Sequence, residues 1–407
     1  MIGVFVYLQI FVEYCCSTIL FFVPGLFTYK QFAIVMAILS AIYIIWILIK
    51  KLHGKLNSKS FLGIIIVLLL IVLYYSTQAR YNNSDLDYYH SYFLVFAGQT
   101  APGVITALLL SQTNDIDKKI KRIAPYVAII FTIIAFSCSL HPSMRTSGGL
   151  AANENYLNYQ TLSYMAAYAT GFAEYTLLTD ASSVPFFFKS KIGTIINFAM
   201  IFINLLSILI SGGRGGVVNF FIFGAVSVFF ALRNNKVAGT TLIKGALLVA
   251  LVGFIGFITF RYAANLDIST SGFSRVTAFL TGNSTNAGRQ LLQSAAIRSY
   301  KDSPIIGHGL GSVFPEVGFH SHNLFTDALV ETGIIGVCVI VALLICTIRR
   351  IMEMIRYDHT NIFWVYVFLC GFVMAMFSGY YLAQLPMWWV IAYSLSKNRS
   401  IPENNLM

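Results

Sequence analysis

The sequence predicts an all-α polytopic membrane protein with about 12 transmembrane helices. Of its 407 residues, 57% are hydrophobic and only 11% are charged, whereas soluble domains carry about 25% charged residues. Apolar runs of roughly 20 residues, long enough to cross a bilayer core, recur along the whole chain. The loops between them are alternately basic and non-basic, which is typical of positive-inside topology. We therefore treat 1–407 as a single integral membrane domain.

The apolar runs give approximate bounds for each span. They cover residues 3–24, 31–49, 60–78, 92–112, 123–140, 160–182, 192–211, 215–232, 240–260, 322–348, 361–378 and 380–396. Basic loops follow every second span, so we expect both termini to be cytoplasmic. The polar segment 261–320, between the ninth and tenth spans, is then the largest periplasmic loop. Within it, 286–300 is predicted to form a short helix that ends before Pro304.

The net charge of +11 does not indicate nucleic-acid binding. The basic residues lie in short loops between apolar runs, where they set the orientation of the spans. The expected surroundings of the chain are therefore membrane lipids, with no nucleic acid.

Arg214 lies in the turn 211–216 (SGGRGG), framed by four glycines. Glycine lets a phosphate approach the backbone closely, the following helix offers its N-terminal N–H groups, and a guanidinium binds phosphate through two hydrogen bonds. The alternative is a tight turn with a charge that only sets topology. Because an external arginine opposes the positive-inside bias, we favour an anion site.

Arg289 and Arg145 are two further external arginines. Arg289 lies in the predicted surface helix, where a solvated charge is the simpler explanation. Arg145 lies in an external loop that also contains Asn155 and Tyr156, and this pattern is weak by itself.

His322 lies at the predicted start of the tenth span, next to Asn323 and two residues after His320. An imidazole can act as a general base near neutral pH. A hydrogen-bonded packing histidine is the alternative. Residues i and i+2 of a helix do not face the same way, so the two histidines are not expected to share a metal. No cysteine or carboxylate pair completes a zinc set, and no metal site is predicted.

Gly307, Gly309 and Gly311 superficially resemble a dinucleotide-binding loop. They follow no strand and open no βαβ unit, so that interpretation fails. We expect instead a turn that returns the chain to the bilayer. Asp327 and Glu331 follow in the tenth span, where ionisable groups are candidates for function. Glu331 can equally well bind a neighbouring helix.

Three motifs together resemble the Wzy/O-antigen ligase superfamily of bacterial envelope glycan enzymes. They are the small-residue–Arg turn at 211–216; Arg289 and Leu292 upstream of the Pro-x-x-Gly-x-Gly-x-Gly stretch in 302–313; and His322-Asn323 followed, after nine residues, by Gly333-x-x-Gly336. The resemblance covers about 145–345. In the family the arginine often follows the serine directly, whereas Gly212 and Gly213 intervene here.

The resemblance implies a GT-C-type glycosyltransferase of the bacterial inner membrane that is metal-independent, needs no cofactor and works at the periplasmic face. Donor and acceptor would be undecaprenyl-pyrophosphate-linked oligosaccharides. Arg214 and Arg289 would bind the pyrophosphate, and His322 would activate the acceptor hydroxyl. Arg145, Asn155, Tyr156, His320 and Asn323 are weaker candidates for substrate contacts.

The resemblance favours an O-antigen (surface polysaccharide) polymerase, for which a chain-length regulator protein is an expected partner. An O-antigen ligase, which would transfer the glycan to the lipid A core, is the alternative because the motifs are shared. A polysaccharide transporter or flippase is less favoured, because the sequence has no clear inverted repeat and no clear paired charges at mid-membrane.

Overall fold

A computed structural model of the chain describes residues 2–23, 25–81, 87–113, 115–141, 158–180, 183–233 and 287–398. These residues form helices and turns, and no strand occurs among them. The first helices are α1 (Ile2–Ile10), α2 (Val12–Phe22), α3 (Tyr29–Lys50), α4 (Ser58–Arg80), α5 (Asp87–Val95), α6 (Ala101–Leu110) and α7 (Asp115–Ser139). Those that follow are α8 (Tyr159–Leu178), α9 (Lys191–Ser211), α10 (Arg214–Arg233), α11 (Ala287–Asp302), α12 (Val313–Val317), α13 (Leu324–Tyr357), α14 (Ile362–Phe377) and α15 (Leu385–Ser396). A π-helical turn, Phe96–Thr100, joins α5 to α6.

Eight described helices are long and apolar enough to cross a membrane, or nine if a bent pair counts as one span. The eight are Gln31–Lys50, Ser58–Arg80, His90–Leu110, Ile116–Ser139, Lys191–Ser211, Arg214–Arg233, Leu324–Tyr357 and His359–Phe377. The chain is therefore a multi-pass membrane protein. The number twelve stays a prediction, and its ninth span, 240–260, lies outside the described residues. The termini and the side of each loop also stay predictions.

Three predicted spans differ from the structure in an informative way. The first, 3–24, consists of α1 and α2, which are bent by 80° at their junction. The sixth, 160–182, is the helix α8, which is not among the eight apolar spans. The last, 380–396, is a short 3-10 turn followed by the 12-residue helix α15.

The helices form two compact units. One comprises Met1–Cys16, Gly25–Ile120 and Asn286–Met407, and the other comprises Ser17–Pro24 and Lys121–Thr285. A single integral membrane domain over 1–407 stays a prediction.

In the second unit, α8 is packed between α9 and α10. Every residue from Thr161 to Thr176 is buried, and many of them are small, which lets helices approach closely. The Glu174 carboxylate accepts a hydrogen bond from Ser227 Oγ at 2.7 Å. Because protein rather than lipid surrounds α8, it tolerates polar residues, and this explains why its hydropathy is too low for the span criterion.

In the first unit, α13 is interrupted at Gly333, whose φ of 61° and ψ of −164° are not helical. The helix predicted at 286–300 is present as α11, and it packs against α13. Buried hydrogen bonds also join α7, α14 and α15. Asp117 Oδ1 accepts from Trp364 Nε1 and from Tyr393 Oη, each at 3.0 Å.

Candidate functional site

The helix α13 begins at Leu324 because Asn323 caps it. Asn323 Oδ1 accepts hydrogen bonds from the backbone N–H groups of Phe325 and Thr326 at 3.0 and 3.2 Å, which is the preferred use of an N-cap asparagine. His320 and His322 therefore precede the helix, although the sequence placed the start of the helix at 322. We call residues 320–323 the histidine loop.

Both histidines of this loop donate a hydrogen bond to the same backbone carbonyl. His322 Nδ1 is 2.9 Å, and His320 Nε2 is 3.2 Å, from the carbonyl oxygen of Ser378. A carbonyl oxygen has two lone pairs and only accepts, so each of these nitrogens carries a proton. For neutral His322 the proton is on Nδ1, and Nε2 keeps its lone pair.

This contact corrects the expectation that the two histidines diverge. Their ring centroids are 4.4 Å apart, because neither residue is in the helix and the rule for i and i+2 does not apply. His320 is 2% exposed, and its Nδ1 has no hydrogen-bond partner among the residues that the structure describes. Nor do the described residues contain a group of three or more His, Cys, Asp or Glu side chains that could hold a metal ion.

The histidine loop is held in an unusual backbone conformation. His322 has a φ of 61°, in the left-handed region that residues other than glycine rarely occupy. One residue earlier, the Ser321 N–H donates to the buried Asp327 Oδ1 at 2.6 Å. The asparagine cap, this carboxylate and the Ser378 carbonyl together fix the loop. His322 is thus oriented before any substrate binds.

Burial controls the protonation of both imidazoles. Burial lowers the pKa of His322, the hydrogen bond to Ser378 opposes this shift, and the positive charge of Arg289 adds to it. Burial also lowers the pKa of His320, to about 3, with a further contribution from its neighbour His322. Both rings are therefore neutral near pH 7, and neutral imidazole is the form that accepts a proton.

Arg289 lies in the first turn of α11, and its charge acts on both histidines. The helix is anchored at its other end. The Ser299 carbonyl is 3.0 Å from His308 Nε2, and Ser299 Oγ donates to Glu316 Oε2 at 3.4 Å. Tyr81 Oη donates to the other oxygen of Glu316 at 2.6 Å. Contacts with His308 and Glu316 therefore hold the helix that carries Arg289, and Tyr81 in turn holds Glu316.

The glycine stretch after α11 fills the break in α13. His308 N–H donates to the Val330 carbonyl at 2.9 Å, and Gly309 N–H donates to the Glu331 carbonyl at 2.8 Å. On the other side of the break, the N–H of Ile334 donates to the Pro304 carbonyl at 2.9 Å. A break in a membrane helix frees backbone groups that need new partners. The segment 304–309 supplies them.

Glycine is required at two positions of this junction because backbone meets backbone. A Cβ at Gly307 would lie 2.3 Å from the carbonyl carbon of Glu331, and one at Gly333 would lie 2.3 Å from the Ile305 carbonyl oxygen. Both glycines also have positive φ, 69° and 61°. The motifs that contain Gly307 and Gly333 thus form one structural feature, a junction inside the helix that follows the histidine loop.

Arg214 belongs to the second unit, in the segment 211–216, which we call the arginine turn. Gly212, with a φ of 74°, caps α9, and Arg214 is the first residue of α10. The Gly213 carbonyl accepts from Ser163 Oγ of α8 at 2.7 Å. A Cβ at Gly216 would lie 1.8 Å from the same Oγ. The turn is therefore packed directly onto α8.

Of the predicted site residues, Arg289, His320, His322 and Asn323 lie in the first unit and Arg214 lies in the second. The side-chain oxygen of Asn323 is engaged in the helix cap. Three weaker candidates lie outside the described residues: Arg145, Asn155 and Tyr156.

No sequence pattern indicated the loop 378–384, whose Ser378 carbonyl accepts hydrogen bonds from both histidines. Its Tyr380 and Tyr381 donate hydrogen bonds to Glu331, each at 2.8 Å. Ser378 acts through its backbone carbonyl, so no side-chain pattern could have identified it. Among the residues noted in the sequence, only Glu331 pointed towards this region.

Two comparisons with known proteins are informative. A family model described as O-Antigen ligase matches residues 199–341, which contain Arg214, Arg289 and His322. The exopolysaccharide production protein ExoQ of Rhizobium meliloti (strain 1021) is 26% identical over 113 residues. That alignment covers 24% of this chain and 24% of ExoQ.

Proposed function

Because the chain belongs, through residues 199–341, to the Wzy/O-antigen ligase superfamily, we propose that it is a surface-polysaccharide polymerase. Its donor and acceptor are undecaprenyl-pyrophosphate-linked repeat units. The growing glycan is transferred to a new lipid-linked repeat unit at the periplasmic face of a bacterial inner membrane. We further propose the GT-C architecture with cytoplasmic termini, and a chain-length regulator protein as partner.

The observation that carries this proposal is the orientation of His322. Its Nδ1–H is 2.9 Å from the Ser378 carbonyl oxygen, and Nε2 makes no hydrogen bond to any residue that the structure describes. Nε2 takes the proton of the acceptor hydroxyl while the hydroxyl oxygen attacks the anomeric carbon of the donor sugar. The bond from that carbon to the pyrophosphate breaks, and undecaprenyl pyrophosphate leaves. A general base of this kind contributes roughly 10² to 10⁴-fold to the rate.

Arg214 and Arg289 are proposed to bind the donor pyrophosphate. Charge develops on the leaving pyrophosphate during transfer, and fixed guanidinium groups stabilise that charge. Two arginines can neutralise the charge of the leaving pyrophosphate without a divalent metal, so the reaction is proposed to be metal-independent. Arg214 is the first residue of α10, where a cation meets the positive end of the helix dipole.

The proposed role of Arg289 in donor binding is tested by comparing two arginine variants of α11. Arg289→Ala is expected to weaken binding of the lipid-linked donor by about 10-fold or more, as loss of a charged hydrogen bond does. Arg298→Ala is the matched control, because Arg298 lies on the same helix and is exposed. Equal donor affinity in the two variants would remove Arg289 from the site.

A ligase is the second candidate, since the matching family is described as O-Antigen ligase. Purified protein is reconstituted in EDTA with an undecaprenyl-pyrophosphate-linked repeat unit as its only substrate. A ladder of glycan products supports the metal-independent polymerase. Transfer that occurs only after lipid A core is added supports the ligase. Movement of the lipid-linked unit across the bilayer, without any new glycosidic bond, would support the transporter instead.

A further inference from the structure

The carboxylate of Glu331 accepts hydrogen bonds from two successive residues of the loop 378–384. Tyr380 Oη donates to Oε1 and Tyr381 Oη donates to Oε2, each at 2.8 Å. The three side chains are between 0% and 2% exposed, so water does not compete for these hydrogen bonds. We call this arrangement the tyrosine clamp.

The loop that the clamp holds is compact. The N–H groups of Ser378 and Gly379 both donate to the Met374 carbonyl, at 2.9 and 2.8 Å. Gln384 Nε2 donates to the Tyr380 carbonyl at 3.3 Å, and a Cβ at Gly379 would lie 2.3 Å from that same Nε2. A displacement of the tyrosines is therefore transmitted to Ser378.

The loop 378–384 is hydrogen-bonded to α13 and to the histidine loop that precedes it. Glu331 of α13 accepts from Tyr380 and Tyr381, and His322 donates to the Ser378 carbonyl. The Ser378 carbonyl thus has a fixed position relative to the imidazole. Aromatic packing supports the same place, since the rings of Tyr92 and Phe314 lie 5.3 and 5.0 Å from that of Tyr380.

We propose that Glu331, Tyr380 and Tyr381 are positioning residues, which set the Ser378 carbonyl so that His322 carries its proton on Nδ1 and keeps Nε2 for the acceptor hydroxyl. The clamp acts on His322 through this hydrogen bond, and the same carbonyl also accepts from His320 Nε2. The part concerning the acceptor rests on the proposed function, whereas the tautomer of His322 is a property of the protein alone.

The tautomer is measured directly by nitrogen NMR of the full-length protein labelled with ¹⁵N-histidine, with His322→Asn to assign the signals. In the wild type we expect the Nδ1–H form. In the double variant Tyr380→Phe/Tyr381→Phe we expect a mixture that contains the Nε2–H form. The matched control is Tyr393→Phe, which also removes a buried hydroxyl that donates to a carboxylate, that of Asp117, and it should leave the His322 signals unchanged.

Activity supplies the second readout. Loss of the clamp should lower kcat by about 10- to 100-fold, by analogy with the loss of the hydrogen-bond partner of a metal-bound histidine, while the KM for the donor stays within about twofold. Because the Ser378 hydrogen bond raises the pKa of His322, its loss should also move the acid limb of the rate profile to lower pH. Other titratable or charged groups near His322 are His320 and Arg289.

The two hypotheses fail in different ways. If the wild type forms no glycan but the double variant changes the tautomer, the clamp stands and the proposed function falls. If the double variant keeps the Nδ1–H form and matches Tyr393→Phe in kcat, the clamp is overturned. Should the double variant not fold, the single variants Tyr380→Phe and Tyr381→Phe decide by the same criteria.

Discussion

The histidine loop and the arginine turn both carry residues proposed for one reaction, yet they are positioned by different forces. In the histidine loop, hydrogen bonds from Ser321 to Asp327 and from His322 to the Ser378 carbonyl hold the chain. In the arginine turn, Ser163 Oγ donates one hydrogen bond to the Gly213 carbonyl, and glycines let the start of α10 pack closely against Ser163 and Tyr164 of α8.

This difference separates two requirements of the proposed chemistry. A general base needs a defined tautomer, which only a hydrogen bond can set. A guanidinium that binds a pyrophosphate needs only a fixed place for its charge, and close helix packing can supply that. Substitutions that add a methyl group should therefore damage the arginine turn, whereas loss of single hydrogen bonds should damage the histidine loop.

The largest loss of stability is expected from a substitution at Gly333, where α13 is interrupted. Gly333→Ala meets the Ile305 carbonyl and also strains a backbone with φ 61° and ψ −164°. Overpacking and backbone strain each cost about 1–3 kcal/mol. The control is Gly288→Ala, because a Cβ there meets nothing within 4 Å. Equal unfolding free energies of the two variants in detergent would refute the backbone–backbone junction.

In the arginine turn, Gly216→Ala brings a Cβ to 1.8 Å from Ser163 Oγ and 2.5 Å from its carbonyl oxygen. Overpacking should destabilise the protein by about 1–3 kcal/mol and displace Arg214. Gly224→Ala lies on the same helix with nothing within 4 Å, so it should be neutral or slightly stabilising. Thermal unfolding of both variants checks this. A stable Gly216→Ala with normal donor affinity would contradict the packing account.

Acid should weaken the histidine loop selectively. Burial lowers the pKa of both His322 and His320, the latter to about 3, below the unfolded value of about 6.5. The stability that depends on neutral imidazoles is therefore full above about pH 6.5 and is lost as the pH falls, by at most about 1.4 kcal/mol per pH unit for each histidine. Unfolding measured between about pH 5 and 7 should show a smaller slope for His320→Asn. An unchanged slope would show that His320 does not cause the loss of stability at low pH.

A smaller effect is expected at the helix cap. Asn323→Ala removes the acceptor for the N–H groups of Phe325 and Thr326, which costs about 1 kcal/mol. Asn323→Asp keeps an acceptor and should be nearly neutral. If both variants unfold like the wild type, the asparagine cap does not stabilise α13.

Hydropathy predicted most individual helices well because it is a local property. The predicted span 192–211 is found at Lys191–Ser211, and 215–232 is found at Arg214–Arg233. Hydropathy could not show that α8 is enclosed by protein, since its surroundings depend on helices distant in sequence. For the same reason it could not show the bend between α1 and α2.

The candidate site was predicted only in part. The sequence identified His322, but not the Ser378 carbonyl, because that contact joins residues 56 positions apart and uses a backbone atom. It identified both glycine motifs without revealing that Gly307 and Gly333 meet. It also placed the start of the tenth span at His322, whereas the cap at Asn323 starts the helix at Leu324, two residues later.

The most direct test of the central claim is single-turnover glycan transfer by reconstituted His322→Asn, with donor binding measured in parallel. Asparagine tolerates the left-handed backbone at this position, so the variant removes the imidazole with little added strain. We expect donor binding to be unchanged and transfer to be slower by about 10²-fold or more. Transfer within about threefold of the wild-type rate, a difference of less than about 1 kcal/mol in the barrier, would show that His322 is not the base.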